Sequence, residues 1–209
     1  MDPGYASWML AILPEIEQGE LYNSWNTILP SYDHANMTVV STRVQVYLCP
    51  SHSVPREPYR TSFMGQDTQW AYASYVGSLG SNFIVDYQDW GPTIQPDGVL
   101  YRHSRVRPSD ITDGTSLTLM AGERAHPDPL LHPMWGFGFT GKTVGDASVE
   151  IQRPDGWAVH WGFSSFHPGG SHFLMADGSA GMLSRDIEQS VFRAMSTRAG
   201  NEPEVGRPF

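Results

Sequence analysis

The chain has 209 residues, 40% of them hydrophobic and 17% charged, a composition that suits one domain with a sizeable core. Its formal charge of −9 and its single lysine, Lys142, exclude nucleic acid as a partner, because phosphate binding needs clustered Lys and Arg. A lone cysteine, Cys49, excludes both an internal disulfide and a zinc site built from several cysteines. A divalent metal or a neutral sugar is compatible with this composition.

The N-terminal region is predicted to be helical. Apolar residues recur at roughly helical spacing over residues 5–26, but Pro14 interrupts the run and Gly19 weakens it, so we expect one broken helix or two short ones. The β-branched run at 39–48 predicts an extended segment that leads into Cys49.

Further strands are predicted in the middle and the last third of the chain. Short strand candidates lie at 71–76 and 97–101. Two apolar runs, 172–176 and 179–183, flank Asp177-Gly178, a pair that favours a two-residue hairpin turn because both of its residues tolerate positive φ.

A closing helix is predicted over 187–199, before a polar tail at 200–209. These elements predict an α+β fold in a single domain that spans residues 1–209.

Five blocks, in order along nearly the whole chain, carry a resemblance. They are Leu13-Pro14 to Glu17-Gln18 with Leu21-Tyr22-Asn23; Leu48-Cys49-Pro50-Ser51; Ser109 to Ser116 with Gly122-Glu123-Arg124; Phe163 to Gly170 with Phe173 and Ala176 to Ser179; and Phe192-Arg193-Ala194 with Thr197 to Gly200. The fourth block leaves nine residues between His167 and Asp177-Gly178. In these blocks the chain resembles a large bacterial family of unknown function that is associated with prepilin-type cleavage and methylation segments. His52 and Leu117 depart from the Asp and Asn usual there.

The resemblance implies a pilin-like head. In such a head an N-terminal helical segment, of which residues 1–26 are a remnant, packs on an antiparallel β-sheet with long irregular loops and a short C-terminal helix. It also implies an extracytoplasmic location at the cell surface or in the periplasm, membrane contact only through an upstream helix that this sequence lacks, and a place in a pilin-like assembly or homo-oligomer. Cys49 is then either a buried thiol or half of a pair whose partner lies outside this sequence.

Three residues are the candidate catalytic groups: His167, Glu123 and Asp177. His167 and Glu123 are also the candidate ligands of a divalent metal, the one cofactor that we consider. The glycines after His167 let the chain fold this imidazole towards the hairpin or towards the strand of Glu123. His172 and Asp177 lie at opposite ends of the predicted strand, about 17 Å apart, so one metal could not bind both.

A simpler interpretation assigns these residues structural roles. His167 would bond to a backbone carbonyl, Asp177 would shape the turn, and Glu123 would form a surface ion pair with Arg124. His126 and His132, in a proline-rich loop, are expected to be solvated, although a loop can also present ligands.

The aromatic residues between 135 and 166 pack a core or form a platform for stacking on carbohydrate. With a sugar substrate, Glu123 and either Asp155 or Asp177 would be the pair of carboxylates.

Three functions follow from these observations. The first is a structural or surface-presenting pilin-like subunit. The second is a hydrolase of glycosidase or esterase/phosphoesterase type that uses the His/Asp/Glu group, with or without a metal. The third is a carbohydrate-binding surface module.

Overall fold

The computed structural model describes residues 6–82, 96–101, 104–138, 140–156 and 161–202. The N-terminal region is helical and broken, as predicted. Helix α1 (Trp8–Ala11) begins after Ser7, whose hydroxyl oxygen accepts a hydrogen bond from the amide of Leu10. A 3-10 turn (Pro14–Ile16) and helix α2 (Gly19–Asn23) follow, separated where Glu17 takes a left-handed φ of 61°.

The remaining elements alternate with long connections. The helices are α3 (Met37–Ser41), α4 (Thr140–Thr143) and α5 (Gln189–Ser196), and the strands are β1 (Tyr59–Phe63), β2 (Gln66–Trp70), β3 (Tyr75–Gly80), β4 (Leu119–Glu123), β5 (Val144–Asp146), β6 (Gly170–Met175) and β7 (Ala180–Ser184). Short 3-10 turns lie at His34–Asn36, Gln45–Tyr47, Pro108–Asp110 and Pro129–Leu131. Among the described residues, no helix combines the length and apolar character that a membrane crossing requires.

The strands form two sheets. Strands β1 and β2 pair as a separate antiparallel hairpin, and the main sheet has the order β5-β3-β4-β6-β7. In the main sheet β3 and β5 run parallel, whereas the other three pairings are antiparallel. The predicted α+β class is confirmed, with a mixed main sheet in place of the antiparallel one that the resemblance implied.

Two apolar clusters stabilise the fold. One is formed by residues of the main sheet, of α5 and of the connections beside them. In it the rings of Phe163, Phe173 and Phe192 pack edge-on or tilted, with centroids 5.0–5.9 Å apart. The other joins the N-terminal helices to α3 and β2; its large buried members include Met9, Leu10, Leu13, Val40, Trp70 and Trp135. Both clusters exclude water from apolar surface, the main favourable term in folding.

The predicted extended segment at 39–48 is wrong. Val39 and Val40 lie in α3, and a 3-10 turn follows at Gln45–Tyr47. Both valines are buried in the apolar cluster that also contains the N-terminal helices, so their packing outweighs the β preference of branched side chains.

The other two strand candidates are only partly correct. Strand β3 begins at Tyr75, near the end of the predicted 71–76, whereas 97–101 forms no strand. There the Asp97 carboxylate instead accepts hydrogen bonds from the amide and hydroxyl of Ser81.

The predicted hairpin is confirmed as strands β6 and β7, but its turn differs from the prediction. The amide of Gly178 bonds to the carbonyl of Met175, and the amide of Met175 bonds to the carbonyl of Ser179, which encloses a three-residue loop. Within this turn, only Gly178 has a positive φ angle, at 88°. This is the type I turn with a glycine bulge, the usual alternative to a two-residue turn. Helix α5 forms inside the predicted 187–199.

We predict that Phe192→Ala lowers the free energy of unfolding by about 3–5 kcal/mol, because it leaves a cavity between two other phenylalanine rings. Urea denaturation followed by circular dichroism measures this loss. Ser190→Ala, an exposed change in the same helix, is the control and should have little effect. A loss below about 1 kcal/mol for Phe192→Ala would contradict the packing described here.

Candidate functional site

The sheet register places Glu123 on the face opposite the phenylalanine cluster. Tyr75 of β3 is the direct partner of Glu123, and Gly122 pairs with Phe173 of β6. Because side chains alternate along a strand, Phe173 points into the cluster while His172 points to the side of Glu123. A Cβ on Gly122 would lie 2.5 Å from the Phe173 ring, so glycine is required beside Glu123.

The Glu123 carboxylate is almost completely buried and is held by several donors. Its Oε2 atom accepts a hydrogen bond of 2.7 Å from the backbone amide of His172 and lies 3.3 Å from Nδ1 of the same residue. Oε1 lies 3.2 Å from Nε2 of His167. The Ser165 hydroxyl and the Cys49 thiol lie close enough to this carboxylate to lower its pKa.

Two loops bring the other side chains to the carboxylate. Cys49 follows the turn at Gln45–Tyr47, which is tied to the strand region because Tyr47 O accepts a hydrogen bond from Ser74 N. His167 precedes β6, and its backbone amide donates to the Ser165 hydroxyl oxygen. The Cys49 Sγ atom lies 3.4 Å from His167 Nε2.

The three side chains converge on one point. One ligand atom each from Cys49, Glu123 and His167 lies within 4.8 Å of the others. The same imidazole nitrogen, Nε2, faces both the thiol and the carboxylate. A nucleophile–base–orienter relay requires the two different ring nitrogens, one for each partner. The imidazole is therefore not arranged to relay a proton between these two partners, whereas the three atoms could serve together as metal ligands.

The separations also suit a tetrahedral metal ion. With zinc–sulfur bonds of about 2.3 Å and zinc–nitrogen or zinc–oxygen bonds of about 2.0–2.1 Å, tetrahedral angles give ligand separations of about 3.3–3.6 Å. The S–N and N–O separations found here are 3.4 and 3.2 Å. Two of the three separations thus match such a metal, and the sulfur and the carboxylate oxygen lie within 4.8 Å of each other.

Burial and hydrogen bonding shift the pKa values of the acidic groups. Burial alone would raise the pKa of Glu123, but the donors from His172, Cys49 and Ser165 and the charge of His167 outweigh it and lower the pKa. Burial and the neighbouring carboxylate raise the pKa of the Cys49 thiol, against an opposing effect of two backbone amides. Glu123 is therefore a ready anionic ligand, whereas Cys49 must lose its proton to bind a metal.

Of the three predicted catalytic residues, the structure brings His167 and Glu123 together and leaves Asp177 elsewhere. Asp177 lies in the exposed turn between β6 and β7, where its Oδ1 accepts hydrogen bonds from the amide and hydroxyl of Ser179. These hydrogen bonds lower the pKa of the Asp177 carboxyl.

The expected surface ion pair between Glu123 and Arg124 is wrong. The two side chains lie on opposite faces of the chain, and Arg124 is fully buried. Its guanidinium donates to the carbonyls of Val144, Trp161 and Gly162, and burial lowers its pKa to about 10 against the opposing charge of Asp146.

The expectation that the loop histidines are solvated is wrong for His132. This ring is 1% exposed and stacks on His52 with centroids 4.7 Å apart. Burial, with a smaller effect of neighbouring cations, lowers the pKa of His132 to about 3, and burial lowers that of His52 to about 4 against the opposing Glu123 charge. The His52–His132 pair is therefore neutral at pH 7. His52 also donates to or accepts from the Ser74 hydroxyl at 3.0 Å.

Two adjoining cavities give access to the cluster. A small pocket of about 10 Å³, roughly the space of one water molecule, is lined by Cys49, His52, Glu123, Ser165 and His167, among others. A wider open cleft of about 630 Å³ borders it and shares Ser165, Phe166 and His167 with it. His167 thus stands between the buried ligand atoms and the cleft.

The aromatic residues largely pack the core. Trp135 and Phe163 are fully buried, whereas Phe166 is half exposed and its ring is tilted against that of His52, with centroids 5.1 Å apart. Trp157 lies outside the described residues. Because the rings of Trp135 and Phe163 are buried, these two residues do not form a continuous aromatic platform on which a sugar could stack. Asp155 lines the wider cleft rather than the Glu123 pocket.

Sequence reasoning missed Cys49, Ser165 and the backbone amide of His172. Cys49 is far from His167 in the chain, and only the resemblance marked both segments, without indicating that they meet. For His172 a signal was present, since the period-two alternation of β6 places it opposite the core residue Phe173.

Taken together, the fold and the site define an α+β domain with a Cys/His/carboxylate cluster at the end of a mixed sheet. Residues 2–190 match the family described as "Protein of unknown function (DUF1559)". The chain belongs to this family. No curated protein and no solved structure matches it.

We predict that stability falls as the pH drops below about 6.5, the ordinary histidine pKa in an unfolded chain. Because His132 and His52 have folded-state pKa values of about 3 and 4, the unfolded chain binds more protons between pH 6.5 and 4. Each histidine then costs about 2 kcal/mol of stability between pH 7 and pH 5. Urea unfolding at both pH values measures the loss.

The matched variants are His132→Phe and His34→Phe. The first removes a buried titrating ring and should flatten the pH dependence by about half, whereas the second changes an exposed histidine and should leave it as in the parent protein. An unchanged pH dependence in His132→Phe would show that this ring is not held neutral by the fold.

Proposed function

We propose that this protein is an extracytoplasmic, pilin-like surface domain whose head binds a divalent transition-metal ion through Cys49, Glu123 and His167. The metal-binding part is carried by one observation, the convergence of a sulfur, a nitrogen and a carboxylate oxygen within 4.8 Å. The surface part is supported by membership in the family and by its resemblance to prepilin-associated sequences.

The donor set favours zinc or a similar borderline metal. Calcium and magnesium prefer sites made of oxygen atoms, whereas a thiolate and an imidazole suit Zn²⁺ and Co²⁺. The two carboxylate oxygens of Glu123 have separate tasks. Oε1 faces His167, and Oε2 is fixed by His172. Such outer contacts orient a ligand and strengthen metal binding.

A metal-free hydrolase is less well supported. Glu123 accepts several hydrogen bonds and has a lowered pKa, so it is a poor general acid near neutral pH. His167 faces both partners through one nitrogen, which gives no path for relaying a proton between them. Hydrolysis was the alternative function derived from the sequence. We therefore do not propose it for the metal-free protein.

We predict that the purified protein binds one Zn²⁺ or Co²⁺, and that Cys49→Ser, Glu123→Gln and His167→Asn each weaken binding by about 100-fold or more. Isothermal titration calorimetry measures the affinity, and the visible absorption of the Co²⁺ form reports thiolate coordination. Since Cys49 must lose its proton, the affinity should rise with pH, roughly tenfold per unit, and this dependence should disappear in Cys49→Ser.

The matched control is Asp177→Asn. It changes a carboxylate in the same predicted motif but outside the cluster, and the amide oxygen can keep the hydrogen bonds from Ser179. Binding should be unchanged in this variant. Failure of the parent protein to bind either metal, or an equal loss in Asp177→Asn, would contradict the proposed site.

The location is tested separately on whole cells. We expect the epitope-tagged full-length protein, expressed in its native host, to be digested by protease added to intact cells or to cells with a permeabilised outer membrane. A cytoplasmic protein in the same cells should stay intact. Protection of the tag until the inner membrane is lysed would contradict an extracytoplasmic head and leave the metal site untouched.

A further inference from the structure

We infer that the wider cleft beside His167 binds a small oxyanion, a carboxylate or phosphate group, between Arg153, Arg185 and a metal ion held by the Cys49–Glu123–His167 cluster. This inference rests on the metal-binding function proposed above and names the class of ligand that the same site would accept.

The position of the cleft is the first observation. It shares Ser165, Phe166 and His167 with the small pocket that encloses Cys49 and Glu123. A zinc ion with three protein ligands keeps a fourth position for water or an exogenous ligand. Cys49 and Glu123 are buried and His167 borders the cleft, so that fourth position is reached from the cleft side.

The charges in the cleft are the second observation. Arg153 and Arg185 both line it, whereas Asp155 is the one carboxylate among those of its lining residues that the structure describes. The cleft therefore carries an excess of positive charge on a chain with a formal charge of −9. Guanidinium groups match carboxylate and phosphate oxygens in a planar, two-pronged geometry, which makes arginine the residue suited to this recognition.

Neither arginine is fully engaged by the protein. Arg153 is exposed and makes no side-chain hydrogen bond or ion pair within the described part of the chain. Arg185 reaches the carbonyls of Ser165 and His167 with one nitrogen at 3.4 and 3.3 Å, both long for a hydrogen bond. Its Nε is shielded from solvent and has no partner. The guanidinium of Arg153 and the terminal nitrogens of Arg185 thus have donor capacity for a ligand.

The walls of the cleft are stiff. Pro127, Pro154 and Pro168 line it, and each fixes its own φ angle. The loop after His167 is tied to β7, because the amide of Arg185 donates to the carbonyl of Gly169 at 2.7 Å. A cleft that is formed before the ligand arrives loses less entropy on binding.

The test uses the Co²⁺-loaded protein with inorganic phosphate and with acetate as two separate probes. Binding is followed by calorimetry and by the shift of the Co²⁺ visible bands, which move only if the anion reaches the metal. We expect at least one probe to bind and to shift the bands, and Arg153→Gln to weaken binding about tenfold. Arg60→Gln, an exposed arginine on β1, is the matched control and should bind like the parent protein.

Metal affinity, measured on the same samples, separates the two proposals. If Co²⁺ binds normally but neither anion binds, or if Arg153→Gln and Arg60→Gln bind the anion equally, the oxyanion inference is wrong and the metal site stands. If Co²⁺ does not bind, both proposals fail. Preference for phosphate over acetate would assign the cleft to phosphoryl groups, and the reverse would assign it to carboxylates. Arg185→Gln, checked for folding by circular dichroism, should weaken binding of the anion as Arg153→Gln does.

Discussion

The structure depends on satisfying the buried carboxylate of Glu123. An ionised carboxylate without partners is very costly in an apolar interior, so the chain must supply donors at the end of β4. The amide of His172 donates to the carboxylate, and the hydroxyl of Ser165 and the thiol of Cys49 lie beside it and stabilise its charged form; these three groups come from three separate segments. One charge thus ties together a loop in the first quarter of the chain, the loop before β6, and β6 itself.

The next residue, Arg124, imposes the same demand on the opposite face. Its buried guanidinium is satisfied by the carbonyls of Trp161 and Gly162 and by that of Val144 in β5. The stretch at 161–167 is therefore held from both faces of the chain at the end of β4. The cation of Arg124 holds its first residues, and the anion of Glu123 holds its last. This double attachment explains how a loop without regular structure can hold His167 in a defined place.

The parts that could be predicted from the sequence are those in which local pattern and tertiary packing agree. The hairpin β6–β7, helix α5 and the broken N-terminal helices follow from period, turn residues and proline position. The segment at 39–48 could not be predicted, because burial of Val39 and Val40 overrides their β preference. In the site, the meeting of His167 with Glu123 was foreseen as one option, whereas the meeting with Cys49 is a contact across 118 positions that no local pattern records.

The nine residues between His167 and Asp177 set the spacing between these two positions. They consist of two loop residues, the six residues of β6 and Ala176. The strand also alternates, with His172 towards the carboxylate and Phe173 towards the apolar core. One inserted or deleted residue between Gly170 and His172 would exchange these two faces, placing a charged contact in the core and a phenyl ring at the site. The fixed spacing therefore determines the face to which each side chain of β6 points, as well as the length of the segment. The turn residue at its far end can thus be important for the structure without taking part in any chemistry.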